Sequence, residues 1–245
     1  MNEPIPSIAA EPTSPIAGLF PGYFALVMAT GIVAIAAQQQ DLDVVAEVLY
    51  TIAGASYVVL AVLLGLRVVR FPRRFAGDLV NHAKGFAFLT VVAGTNVLAS
   101  ASIVVRGWWD LAWVLWWVGA VCWILVLYPT LIAVVVGPDK PGLTTGINGS
   151  WFLLTVSTQS VAVAGALLLV RHDSDLLAFT LLAAFTLGIV LYLIVMTMVF
   201  LRWTFHPLQP NEVDPPAWIA AGAVAITVLA GSNLLLAAEL GSARL

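Results

Sequence analysis

The sequence predicts an all-α integral membrane protein, with seven transmembrane helices arranged as helical hairpins around a central pore axis. Its composition is 61% hydrophobic and 9% charged, with a mean hydropathy of +1.01, whereas about a quarter of the residues in a soluble domain are charged. Seven apolar stretches each approach the roughly 20 residues that cross a hydrocarbon layer. The beginnings of alternate stretches also recur at a fixed interval, which indicates repeated hairpins.

One transmembrane domain is predicted over residues 16–240, after an N-terminal tail. The seven predicted helices occupy about residues 16–37, 44–66, 85–105, 111–136, 151–170, 176–201 and 217–238. Residues 1–15 contain Glu3 and Glu11 but no Lys or Arg, so they lack the positive region of a secretion signal. Their Pro and Ser content predicts a disordered tail.

The odd-numbered helices begin alike. Phe24, Phe88 and Phe152 are spaced by 64 residues, and Trp218 follows Phe152 by 66. Each aromatic residue stands near the start of a predicted helix. The repeat therefore predicts that these four helices occupy equivalent places in successive hairpins.

The even-numbered helices lack such a pattern. The second and fourth are apolar nearly all round, as expected of helices that face lipid or one another, and the fourth is rich in tryptophan. The sixth carries threonines that are scattered rather than aligned. The even-numbered helices therefore differ in chemistry from the odd-numbered ones.

The basic residues predict the orientation. Seven of them fall on one side of the seven helices, namely Arg67, Arg70, Arg73, Arg74, Lys84, Lys140 and Arg202, against three on the other, Arg106, Arg171 and Arg244. Cytoplasmic loops carry the excess of Lys and Arg. We therefore expect a protein of the cytoplasmic membrane with its N-terminus in the cytoplasm.

The odd-numbered helices place small and hydroxyl-bearing residues at helical spacing. The predicted pore-lining residues are Thr30, Gly31, Thr90, Gly94, Thr155, Thr158, Gln159, Gly222 and Ser232. An alternative is that such residues mediate helix packing, as they do in many membrane bundles. Their recurrence on alternate helices favours a shared, partly hydrated axis.

Charged residues do not fall in the middle of any predicted helix, although a charge at that depth usually marks function. A carboxylate proton relay or an intramembrane metal site therefore lacks its residues. Cys122 is the only cysteine, so a cysteine cluster is excluded within one chain. The helices also lack a pair of nucleophile and base. We therefore expect that the protein is not an enzyme and that it binds no cofactor.

The segments FPGYFALVMATGIVAIAA, GFAFLTVVAGTNVLAS, GSWFLLTVSTQSVAVAGA and PPAWIAAGAVAITVLAGS resemble the tellurite-resistance/C4-dicarboxylate transporter family. This family belongs to the voltage-dependent anion channel superfamily, which includes the plant slow anion channels. The resemblance implies five hairpins around a pore, usually in a homotrimer, and an aromatic gate in the fifth inner helix. It makes Phe24, Phe88 and Phe152 candidate pore aromatics. Because the family fold has ten helices and seven are predicted here, we expect a C-terminally truncated chain.

The sequence thus predicts channel-like transport of small anions, either C4-dicarboxylates such as malate or halide, nitrate and sulfite-type anions. The alternative is a truncated, non-conducting membrane fragment or interaction subunit. The expected partners are the lipid bilayer, a small anion and further copies of the chain. No nucleic acid is expected.

Overall fold

The computed structural model describes residues 14–138, 140–172, 174–207 and 215–242, and these residues form helices and connections without a strand. The α-helices are α1 (Ala25–Gln39), α2 (Asp43–Arg70), α3 (Pro72–Leu79), α4 (Leu89–Arg106), α5 (Trp109–Val136), α6 (Leu143–Gly146), α7 (Leu153–Leu169), α8 (Asp175–Phe205) and α9 (Ile219–Ser242). Seven helical segments, all but α3 and α6, are long and apolar enough to cross a membrane. The predicted all-α membrane fold with seven such helices is confirmed. Most of the predicted tail lies outside the described residues.

A four-residue 3-10 turn precedes each odd-numbered membrane helix. These turns are Pro21–Phe24, Gly85–Phe88, Gly149–Phe152 and Pro215–Trp218, so each ends at the aromatic residue of the sequence repeat. The first membrane helix begins at Pro21, five residues later than predicted. Proline suits a first helical position because it has no N–H group to leave unbonded, and residues 14–18 before it form a separate hydrogen-bonded turn.

The connection between α4 and α5 shows how tightly a hairpin closes. Gly107 follows α4 with a φ of +66°, a left-handed conformation that glycine adopts without a steric penalty. The N–H of Gly107 bonds to the carbonyl of Ile103, and that of Trp108 bonds to Ser102. The chain therefore reverses within two residues and begins α5 at Trp109.

The membrane helices form an inner row and an outer layer. Neighbours in the inner row follow the order α1, α4, α7 and α9, while α2, α5 and α8 pack behind α1, α4 and α7 as their hairpin partners. The 3-10 turns contact one another in the same order, so the four inner helices run parallel and begin at one end of the bundle. In an 18-residue apolar stretch of each helix, the buried share is 72% for the α4 segment and 89% for the α7 segment, against 11–22% for the outer helices.

Candidate functional site

A cavity of about 640 Å³ lies between the four inner helices. It extends from Ala25 and Leu153, the first residues of α1 and α7, to Gln39 and Leu167 near the ends of these helices. The cavity therefore follows the inner helices along nearly their whole length. This continuity makes it the candidate functional site.

The cavity-lining residues occur in the same register on three of the four helices. Counted from Phe24, Phe152 or Trp218, the shared positions are the first, fourth, eighth, eleventh and fifteenth residues, to which α1 adds Ala29 and α9 adds Ala225. The residues at the shared positions are Ala25, Met28, Ile32, Ile35 and Gln39 on α1; Leu153, Val156, Ser160, Val163 and Leu167 on α7; and Ile219, Gly222, Ile226, Leu229 and Asn233 on α9. Spacings of three and four residues mark one helix face. The repeat seen in the sequence is thus also a repeat of the cavity wall.

The eighth residue faces the cavity on all four helices, as Ile32, Asn96, Ser160 and Ile226. The Asn96 side chain donates a hydrogen bond of 3.1 Å from Nδ2 to Ser160 Oγ. This bond joins α4 to α7 at that level. Asn96 and Ser160 are 64 residues apart, so the repeat interval is the signal that could have selected them from the sequence.

The Asn96 amide also reaches the outer layer. Its Oδ1 is buried and has no hydrogen-bond partner within the described part of the chain. It lies against Gly119 of α5, where an added Cβ would come within 2.6 Å of Oδ1. The glycine allows α5 to approach this amide closely. Asn96 therefore links the cavity wall to the helix behind it.

Two of the predicted pore-lining residues lie on the cavity wall. Thr90 is near the start of α4, where its hydroxyl lies 2.7 Å from the Ala87 carbonyl and 2.9 Å from that of Pro21. Gly222 is on α9, where an added Cβ would meet no atom within 4 Å. A larger side chain at Gly222 would therefore extend into open space.

Two other predicted residues bond to outer helices. The Thr158 hydroxyl accepts a hydrogen bond of 2.9 Å from Trp123 Nε1 of α5. The Gln159 side chain donates a bond of 3.2 Å to the Phe185 carbonyl of α8. Both polar groups of α7 thus engage the layer behind the inner helices.

The remaining five predicted residues do not belong to the cavity wall: three are buried, one is half-buried and one is exposed. Gly31 and Gly94 are buried where α1 crosses α4, since an added Cβ would lie 2.7 Å from a Val97 methyl group or 3.3 Å from a backbone oxygen. Thr155 is fully buried. Thr30 bonds to the carbonyl four residues earlier at 2.7 Å, and Ser232 is exposed on α9.

The three repeat phenylalanines are buried at the starts of the inner helices. Phe24 packs edge to face with Tyr57 of α2 at 6.0 Å, and Phe88 packs in the same manner with Phe75 of α3 at 5.1 Å. Phe152 lies 5.8 Å from Tyr192 of α8. Each ring thus fixes the beginning of an inner helix against an aromatic residue of another helix.

The electrostatic character of the site follows from its neutral wall and its parallel helices. The cavity-lining residues carry no ionisable side chain, and their polar groups are hydroxyls and amides such as Thr90, Asn96, Ser100 and Ser160. The N-terminus of each inner helix carries a partial positive charge. The four ends lie at the same end of the bundle, and helix dipoles in such an arrangement favour negative charge there.

A family model and one relative match most of the chain. A family model described as voltage-dependent anion channel matches residues 18–242. An uncharacterized transporter of Methanocaldococcus jannaschii is 24% identical over 230 residues, which cover 90% of this chain and 65% of the relative. An uncharacterized membrane protein of Mycobacterium tuberculosis strain H37Rv is 47% identical over 45 residues, or 18% of this chain and 23% of the relative. The chain thus spans less than two thirds of the length of these relatives.

Proposed function

Because the chain belongs to the voltage-dependent anion channel family, we propose that it carries small anions across the membrane through the central cavity. The observation that carries this proposal is the shared register of the cavity wall on α1, α7 and α9. Three of the four repeats present equivalent positions to one continuous space. A cavity of this length between parallel helices suits a conduit better than a closed ligand pocket.

The neutral wall supports a preference among anions. A dianion loses much more hydration energy than a monoanion on entering an apolar space, because the ionic solvation energy rises with the square of the charge. Most residues of the wall are apolar. We expect nitrate and chloride to pass faster than malate or sulfite. A faster malate flux would instead favour C4-dicarboxylates as substrates.

The experiment measures chloride, nitrate and malate fluxes in liposomes that contain the full chain. Replacing Gly222 with Phe adds a ring to the cavity wall at a position where an added Cβ meets no atom within 4 Å. We expect G222F to reduce the anion fluxes strongly while the protein remains folded. Gly65 of α2 provides the matched control, since it also has no atom within 4 Å of an added Cβ and is exposed on the outer layer.

Equal fluxes in G222F, G65F and the unsubstituted protein would contradict transport through this cavity. A folded protein without flux for any of the three anions would favour the alternative, a non-conducting membrane subunit.

We also propose a location in the cytoplasmic membrane, with the N-terminus inside, and a homotrimer. An N-terminal tag that is accessible only after permeabilisation, together with a trimer mass in native mass spectrometry, would support these assignments.

A further inference from the structure

Three arginines form an unpaired basic cluster at the end of the bundle where the inner helices begin. Arg70 ends α2, and Arg73 and Arg74 lie in the first turn of α3. All three are exposed. Among the described residues none of them takes part in an ion pair or a side-chain hydrogen bond, in contrast to Arg67, which pairs with Asp78. The cluster therefore presents three guanidinium groups to its surroundings.

The length of α2 places this cluster at the level of the lipid headgroups. A helix of 28 residues is about 42 Å long, whereas the hydrocarbon core is about 30 Å thick. The ends of α2 therefore extend beyond the hydrocarbon. Val69, the neighbour of Arg70, is 78% exposed, so the last turn of α2 is open to its surroundings.

Helix α3 is fixed to the beginning of α4. The Phe75 ring of α3 packs edge to face with Phe88. Asp78 of α3 forms ion pairs with Arg67 of α2 and, at 3.2 Å, with Lys84 just before α4. These contacts connect the short helix to α2 and to the turn before α4, so Arg73 and Arg74 lie at the same end of the bundle as Arg70.

The same contacts extend to the start of α1. Arg67 is buried, its Nη1 donates a hydrogen bond of 2.7 Å to the Leu19 carbonyl, and its guanidinium lies 5.8 Å from the centre of the Phe88 ring. A ligand that restrains α3 would therefore also restrain the first turns of two helices that line the cavity.

We propose that Arg70, Arg73 and Arg74 bind the phosphate groups of anionic phospholipids, and that the bound lipid holds α3 against the start of α4. Guanidinium groups match phosphate oxygens with paired hydrogen bonds. Basic residues on a helix at the membrane surface are attracted to anionic lipid. The proposal concerns a lipid surface of the protein and holds whether or not the cavity conducts anions.

The test is backbone hydrogen exchange of residues 72–88 in the full chain, reconstituted in nanodiscs of phosphatidylcholine with increasing phosphatidylglycerol. We expect exchange in this segment to slow as phosphatidylglycerol is added. Each arginine near an anionic surface contributes roughly a fivefold factor to the affinity for the lipid. Replacing all three with glutamine is therefore expected to lower the affinity for phosphatidylglycerol on the order of a hundredfold, which raises the phosphatidylglycerol content needed to slow exchange. Because the three side chains are exposed and unpaired, the triple variant should fold.

Two controls separate this surface from other sources of protection. Lys140 is an exposed basic residue of another loop on the same side of the bundle, and K140Q should keep the lipid dependence of the unsubstituted protein. Inorganic phosphate added to phosphatidylcholine nanodiscs should not slow exchange. Protection by free phosphate, a triple variant that responds like the unsubstituted protein, or no response to phosphatidylglycerol would overturn the proposal.

Discussion

The two faces of the inner helices differ in where their polar side chains find partners, and the sequence of one helix does not show this difference. The face toward the cavity is mostly apolar, with Asn96 and Ser160 as its polar pair at the central level. The opposite face carries Thr158 and Gln159, whose side chains bond to the outer helices. In a membrane, hydroxyl and amide groups satisfy one another between helices. Polarity in this protein therefore marks many of the contacts that hold the hairpins together.

The bonds on the outward face also connect successive repeats. The Thr95 hydroxyl of α4 lies 3.1 Å from the Tyr57 hydroxyl of α2, just as Thr158 of α7 bonds to Trp123 of α5. In each pair, the inner helix of one hairpin contacts the outer helix of the preceding hairpin. The outward face thus joins neighbouring hairpins sideways, while the inward face leaves a space between them.

The largest expected difference between the faces is in packing. An added Cβ at Gly165 of α7 would lie 2.1 Å from a Leu181 methyl group and 2.9 Å from Trp116 Nε1. We expect Gly165→Leu to destabilise the protein by about 1–3 kcal/mol or more, because overpacking displaces neighbouring side chains. Thermal unfolding in detergent measures this change. Gly222→Leu is the matched control on the cavity face and should leave the unfolding temperature nearly unchanged. Similar losses in both variants would contradict the difference in packing.

A second difference concerns hydration. Ile32 and its neighbour Val33 are exposed to similar extents, 44% and 51%, but Ile32 lines the cavity and Val33 does not belong to its wall. Because Cys122 is the only cysteine, C122A provides a cysteine-free background. We expect an anionic, membrane-impermeant thiol reagent to modify I32C faster than V33C, since a lipid-facing thiol meets neither water nor the reagent. Protein mass before and after treatment measures the reaction. Equal modification would mean that the two faces of α1 are hydrated alike.

These differences explain which parts of the structure could be predicted from the sequence. Helix number, the repeat and the arrangement of the odd-numbered helices around one axis follow from hydropathy and from the spacing of Phe24, Phe88 and Phe152. The rotation of each inner helix does not follow from its polar residues. Thr158 is the sixth residue after Phe152 and Ser160 is the eighth, so their directions differ by about 200° around the helix.

Which side of an inner helix faces the cavity depends on the residues that a second helix places against it. Ser160 and Thr158 are both small hydroxyl residues, and composition does not distinguish a residue that bonds to Trp123 from one that lines a space. What distinguishes them is the partner supplied by α5. Such partners come from elsewhere in the chain, so a pattern within one helix does not reveal them. The repeat offers part of this information, because Asn96 and Ser160 occupy equivalent positions and bond to each other.

The smallest expected effect is that of one bond on the outward face. Replacing Thr158 with Val and Trp123 with Phe, singly and together, measures the coupling between the two side chains. Polar bonds between membrane helices average about 0.6 kcal/mol in such cycles, with values up to about 1.7 kcal/mol. We expect a coupling in this range from unfolding in detergent, because the Trp123 N–H and the Thr158 hydroxyl lose their mutual partner. The nitrate flux of T158V then tests which way Thr158 faces. A fall as large as that of G222F, with no coupling to Trp123, would mean that Thr158 lines the cavity.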